Sequence, residues 1–378
     1  MEKKAKTDKV LMLMSALGII FVIDVHMGRP LNIGTSVFPY DSFFMPMFVF
    51  ISGYFFNRRH TESFRSICAF VYKKFMRLLL PFIIWSVVYG FLIQGVAWFG
   101  LAHWSNLTFD LLTRNILTYG TTFDVNGAAW FVPMLFFVTV AYAIVRSLLG
   151  RFWNDWAAMS ALVILGWISL CFCKQGYNLK DEYLLLLKIG FFSQFFQFGY
   201  LFHIRLNNWF TRLNPLVVCV TLIVFNSLLM LWYPDITFNS CAFMNDFRKN
   251  PVFIPLLTSI SGILFWLKIS QSLVHLLGDN RLVNFISNNT FFLMEHHLLM
   301  KNIVYGGWAV LGHVCGLSLF ASFNVQEWSQ NSWYFWAPNS GVLVLTAVGT
   351  LILTLTACYG FAHVKRLVSN LLNFRCKV

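Results

Sequence analysis

The feature that most constrains this chain is a repeated one. Stretches of about 20 apolar residues, roughly ten of them, alternate with short polar connections, and each is long enough to cross a bilayer as a helix. A backbone in lipid must satisfy its own hydrogen bonds, so windows of this length are read as helices. Candidate spans fall near 10–27, 37–56, 78–99, 129–149, 156–173, 184–204, 214–233, 252–273, 288–312 and 340–362. Composition agrees, with 58% of 378 residues hydrophobic and 11% charged, against about 25% charged in soluble domains. The expected fold is an all-α polytopic membrane protein of about ten transmembrane helices, with residues 1–378 forming a single integral-membrane domain.

A net charge of +13 would suit a nucleic-acid partner, but the Lys and Arg residues sit in short clusters between apolar runs. The partners expected from that placement are membrane lipids, not nucleic acid. With the N-terminus cytoplasmic, Lys3, Lys4, Lys6 and Lys9, the cluster from Arg58 to Arg77, and Lys365, Arg366, Arg375 and Lys377 all fall inside. The positive-inside rule then puts both termini in the cytoplasm. The first apolar run has no small-x-small cleavage site before Arg29-Pro30, so it reads as a span and not as a removed signal peptide. Eight scattered cysteines show no metal-ligand spacing; they read as small buried hydrophobes, and no metal is expected. The sequence is also compatible with a homo-oligomer.

Within this apolar frame a few ionisable residues need a reason, because charge at membrane depth is costly and usually marks a pathway or site. Asp24 and His26 close the first helix. A neutral imidazole there suits a general base; the alternative is a His hydrogen-bonded within the bundle. Asp24 lies two residues earlier, nearly opposite on a regular helix, and reaches His26 only if the helix unwinds before Gly28-Arg29-Pro30. After the second apolar run come Arg58, Arg59, Lys73, Lys74 and Arg77. Such cations either sit on anionic headgroups or hold the phosphates of an anionic donor.

Taken together, Met45-Pro46-Met47-Phe48, Ser52-Gly53-Tyr54, Lys74-Phe-Met-Arg77 with Pro81, and the His closing the first helix resemble acyltransferase family 3. The match is nearest to its fucose 4-O-acetylase-like branch. Ala129-Trp130-Phe131-Val132-Pro133 looks like the family's Trp-Phe-Leu segment, and Thr290 to His297 looks like its late His-containing helix. The resemblance implies a multi-pass enzyme of the bacterial cytoplasmic membrane. It would move an acetyl or other acyl group from acetyl-CoA or another acyl-CoA to a hydroxyl of a cell-surface polysaccharide or lipid-linked glycan. His26 would be the essential first-helix His, with Asp24 beside it, and Arg58, Arg59, Lys73, Lys74 and Arg77 would serve the coenzyme A side. Asp41, Ser52, Tyr54, Trp130, Glu295, His296 and His297 are candidates for the cavity and the acceptor. Two departures stand out. Ser15 replaces an Arg that many relatives carry eleven residues before the His, and Phe44 stands where the branch has a second-helix His, with Asp41 three residues earlier as the polar substitute.

Glu295-His296-His297 is the second polar cluster at membrane depth. Adjacent helical residues point about 100° apart, so at most one of the two His is expected to face His26. The rival reading is an oligosaccharide transporter or flippase. That class often shows broken-helix pairs in symmetry-related halves, and no such symmetry stands out here.

Overall fold

The computed structural model describes residues 8–98, 108, 109, 113, 124–233, 251–330, 335 and 339–375. Every described regular element is helical. The long helices are α1 (Lys9–His26), α2 (Phe44–Tyr54), α3 (Phe64–Lys74), α4 (Leu80–Trp98), α5 (Phe131–Leu149) and α6 (Asp155–Lys174). They continue with α7 (Asp181–Leu201), α8 (Pro215–Trp232), α9 (Ile254–Leu277), α10 (Arg281–Asn288), α11 (Thr290–Ala309) and α12 (Ser340–Arg375). Among the described residues eight helices are long and apolar enough to span a bilayer. The expected ten include two more windows, α2 and α11. Helix α2 has 11 residues, about 16 Å of rise and half a hydrocarbon layer. Helix α11 has the length, at 20 residues, but it carries Glu295, His296, His297 and Lys301.

Local signals explain the boundaries. Asp8 caps α1 by accepting from the amides of Val10 and Leu11, and Asn154, Asn214 and Asn280 do the same for α6, α8 and α10. The basic segment is not a loop. Ser63 caps α3, and a π-helical turn over Phe75–Leu79 joins α3 to α4. That turn re-aims the helix where Arg77 sits, as such bulges do near functional sites.

Helix α7 forms the centre and α6 and α8 the rim, since 78% of the apolar window that holds α7 is buried, against 22% for α6 and 17% for α8. In lipid, apolar burial gives helices little reason to associate, so close backbone packing decides which pairs form. Here α2 and α7 cross at paired glycines. A Cβ on Gly53 would lie 1.9 Å from the Phe196 carbonyl oxygen, and one on Gly199 2.0 Å from that of Phe50. Phenylalanine fills the remaining interior, with Phe21, Phe43, Phe50, Phe191, Phe192 and Phe195 fully buried. This interior holds α1 between α2, α9, α10 and α11.

Candidate active site

His26 ends α1, with its Nδ1 2.7 Å from the Val22 carbonyl oxygen. The same Nδ1 lies 3.2 Å from Nε2 of His297 on α11, and the two ring centroids are 4.9 Å apart. His297 is fully buried, and its Nδ1 faces the carbonyls of Leu293 at 3.0 Å and Met294 at 2.9 Å. One turn further along α11, the buried Lys301 is near enough for its charge to act on both imidazoles.

Only His297 joins His26. Glu295 and His296 turn to other neighbours, as 100° steps along the helix require. Glu295 Oε1 accepts from Asn126 at 3.2 Å, and the same amide contacts Ser86 at 3.4 Å. His296 Nδ1 lies 2.5 Å from the Tyr89 hydroxyl, with the Trp85 ring against it. The expected polar wall of Glu295, His296 and His297 is therefore split between two faces of α11.

Asp24 points away from the pair. Its carboxylate accepts from the amides of Leu31 at 2.9 Å and Asn32 at 3.2 Å, fixing the turn after α1. That turn needs an anchor, since Arg29 and Asn32 adopt left-handed backbone angles (φ 62° and 47°). The helix does stop near Gly28, but the freed carboxylate holds the turn instead of orienting His26. Asp41 pairs with Arg29 beneath the same turn. Burial pushes the Asp41 carboxyl above its ordinary range, and the Arg29 charge offsets part of that shift. Phe44 is buried, so no polar group takes the place of the branch's second-helix His at that position.

At the basic end of the bundle, a cavity of about 480 Å³ runs between α1, α2, α3, α5 and α11. Lys73, Lys74 and Arg77 line its mouth, with Ser15, Ser52 and Asn288 among its polar walls. Ser15 thus puts a small uncharged hydroxyl on the wall. The cavity reaches Ile19 on α1 and Met294 on α11. His26 lies two turns beyond Ile19, and His297 one turn beyond Met294, about 10 and 5 Å of helix rise. The cations thus line the cavity's mouth, and the His pair lies beyond its inner end, outside its lining.

Two of the five expected donor cations are elsewhere. Arg58 bonds Asp155 at 2.6 Å and also the Tyr200 hydroxyl. The buried Arg146 reaches the same carboxylate at 3.1 Å and Tyr142 at 2.8 Å. Arg58 thus belongs to a knot joining α5, α6 and α7, and Arg59 lies outside the cavity lining. Tyr54 bonds Asp8 at 3.2 Å and, with Arg58 and Arg205, lines a second cavity of about 600 Å³. Phe55 and Phe56 border both cavities. Trp130 lies under the ammonium of Lys188 at 5.0 Å, outside the first cavity's lining. Much of the outer connection that follows α4, including His103, Trp104, Asp110 and Arg114, falls outside the described residues.

Sequence reasoning missed His60. Its ring stacks on Phe70 with centroids 4.6 Å apart and lines the cavity beside Lys73 and Lys74. Burial, and then the charges of those two lysines, push its imidazole below the ordinary range. The usable signal was its position, directly after Arg58-Arg59 in the basic segment.

Comparison with known proteins agrees with this layout. No curated protein and no solved structure matches the chain. A family model described as an acyltransferase domain, that of acyltransferase family 3, matches residues 11–304, which spans α1 with His26, the basic segment and α11 as far as Val304. The chain is a multi-pass membrane acyltransferase and belongs to acyltransferase family 3.

Proposed function

We propose that the enzyme moves an acetyl group from acetyl-CoA to a hydroxyl of a cell-surface polysaccharide or lipid-linked glycan, with His26 as general base. It would work in a bacterial cytoplasmic membrane, its basic end facing the cytoplasm. The observation that carries this reading is a cavity with cations at its mouth and an imidazole pair one to two helical turns beyond its inner end. Lys73, Lys74 and Arg77 take the donor's phosphates through charge-assisted hydrogen bonds. The thioester arm follows the apolar wall toward Met294. The acceptor hydroxyl gives its proton to His26 Nε2 as its oxygen attacks the thioester carbonyl. When the C–S bond breaks, that proton passes to the departing thiolate, leaving an ester and free coenzyme A. Transfer is direct, and no covalent enzyme intermediate is needed for the balance.

The test is transfer of radiolabelled acetyl from acetyl-CoA to extracted glycan by membranes holding wild type, His26→Ala or Arg77→Ala. The reading requires label with wild type, none with His26→Ala, and weakened donor use with Arg77→Ala. Unchanged labelling by His26→Ala would remove the base assignment.

A further inference from the structure

His297 makes two kinds of contact that no single helix could supply. Its Nδ1 lies 3.0 and 2.9 Å from the Leu293 and Met294 carbonyl oxygens, acceptors that only an N–H can satisfy. The ring proton of neutral His297 therefore sits on Nδ1, and Nε2 carries a lone pair. That lone pair lies 3.2 Å from His26 Nδ1, which also faces the Val22 carbonyl at 2.7 Å. Val22 O and His297 Nε2 are both acceptors, so His26 too holds its proton on Nδ1. Its lone pair is left on Nε2, the other edge of the ring.

We propose that His297 is a positioning residue that locks His26 in the Nδ1–H tautomer and steadies the imidazolium formed when Nε2 takes the acceptor's proton. This deepens the reading above and rests on His26 being the base. The logic is that of a carboxylate behind a catalytic His, with a neutral lone pair in place of the carboxylate. A neutral orienter suits this place. A buried carboxylate would need its own desolvation offset, whereas His297 is held by two backbone carbonyls of its own helix. Glu295 and His296 take no part, since they face Asn126 and Tyr89.

The experiment uses the full chain in nanodiscs, with ¹⁵N-labelled histidine and acetyl transfer measured on the same samples. His26 is assigned by the signal lost in His26→Gln. The proposal expects a wild-type His26 with protonated Nδ1 and unprotonated Nε2. In His297→Phe the Val22 carbonyl still favours Nδ1–H, so that preference weakens, and kcat falls by about 100-fold with KM for the donor unchanged. In His297→Gln, whose amide oxygen can accept from His26 Nδ1, the tautomer is kept and kcat recovers by about tenfold over the Phe variant. An Nε2–H tautomer in wild type, or His297→Phe within about threefold of wild-type kcat, overturns the proposal. If His297→Phe does not fold, His297→Leu takes its place and is read by the same kcat limits. Should His26→Gln retain transfer, the base assignment fails on activity, while the nitrogen spectrum separately reports whether His297 holds the ring.

Discussion

At the mouth of the first cavity, Lys73, Lys74 and Arg77 come from one helical stretch, and Lys73 and Arg77 are exposed to solvent. Beyond its inner end, His26 and His297 come from two helices 271 residues apart in sequence, and His297 is fully buried. On the proposed reading the mouth is redundant: three similar charges share one task, and at the exposed Lys73 and Arg77 an ion pair is worth at most about 1 kcal/mol. The inner pair is not, because one proton position depends on one geometry. Damage at the mouth should therefore be graded, and damage at the pair close to complete.

Four predictions would break or sharpen that contrast. His26→Gln, which keeps polarity but removes a titratable base, should lower kcat by about 10²–10⁴-fold with donor KM unchanged, measured as acetyl transfer in nanodiscs. A loss confined to KM would put His26 with the mouth. Next, Arg77→Ala should raise donor KM by about tenfold, the worth of one charge-assisted bond, with kcat nearly constant. Raising salt should shrink that difference, since exposed charges are screened.

Arg58→Ala should behave differently from Arg77→Ala although both lie in the basic segment. It leaves Asp155 with Arg146 and the Trp153 indole N–H, so the expected result is a melting temperature lower by a few degrees, with donor KM unchanged. A tenfold rise in KM would return Arg58 to the donor site. The smallest effect concerns His60. Its pKa is lowered on folding, so the unfolded chain binds more protons below its ordinary value of 6.5 and stability falls as pH drops through that region. Burial is the larger cause and the Lys73 and Lys74 charges the next. His60→Phe should thus melt higher than wild type at pH 5 and equally at pH 8. Equal shifts at both pH values would mean packing on Phe70, not charge, decides.

The spans were legible because about 20 apolar residues in a row have few other uses, and His26 because an ionisable group in such a run is conspicuous. Helix steps also fixed that only one of His296 and His297 can share a face with His26, but not which. That choice depends on how α11 is rotated against α1, a matter of tertiary packing. Arg58 looked like Arg77 because a sequence shows charge and not partner; its carboxylate, Asp155, lies 97 residues away on another helix. Asp24 misled for a related reason. The donors to its carboxylate are the Leu31 and Asn32 amides, in a turn whose left-handed angle at Arg29 no propensity would assign to that residue.

The wall between the two cavities at the basic end is shared by two unlike rings. Phe56 is wedged edge-on among Phe70, Tyr142, Phe196 and Tyr200, with centroids 5.1 to 6.0 Å away, and acts as a fixed post. Phe55 beside it is 53% exposed and has room to swing. The partition thus has one rigid half and one hinged half. Of the two residues that both chambers share, one ring is therefore held on all sides and the other is open to solvent.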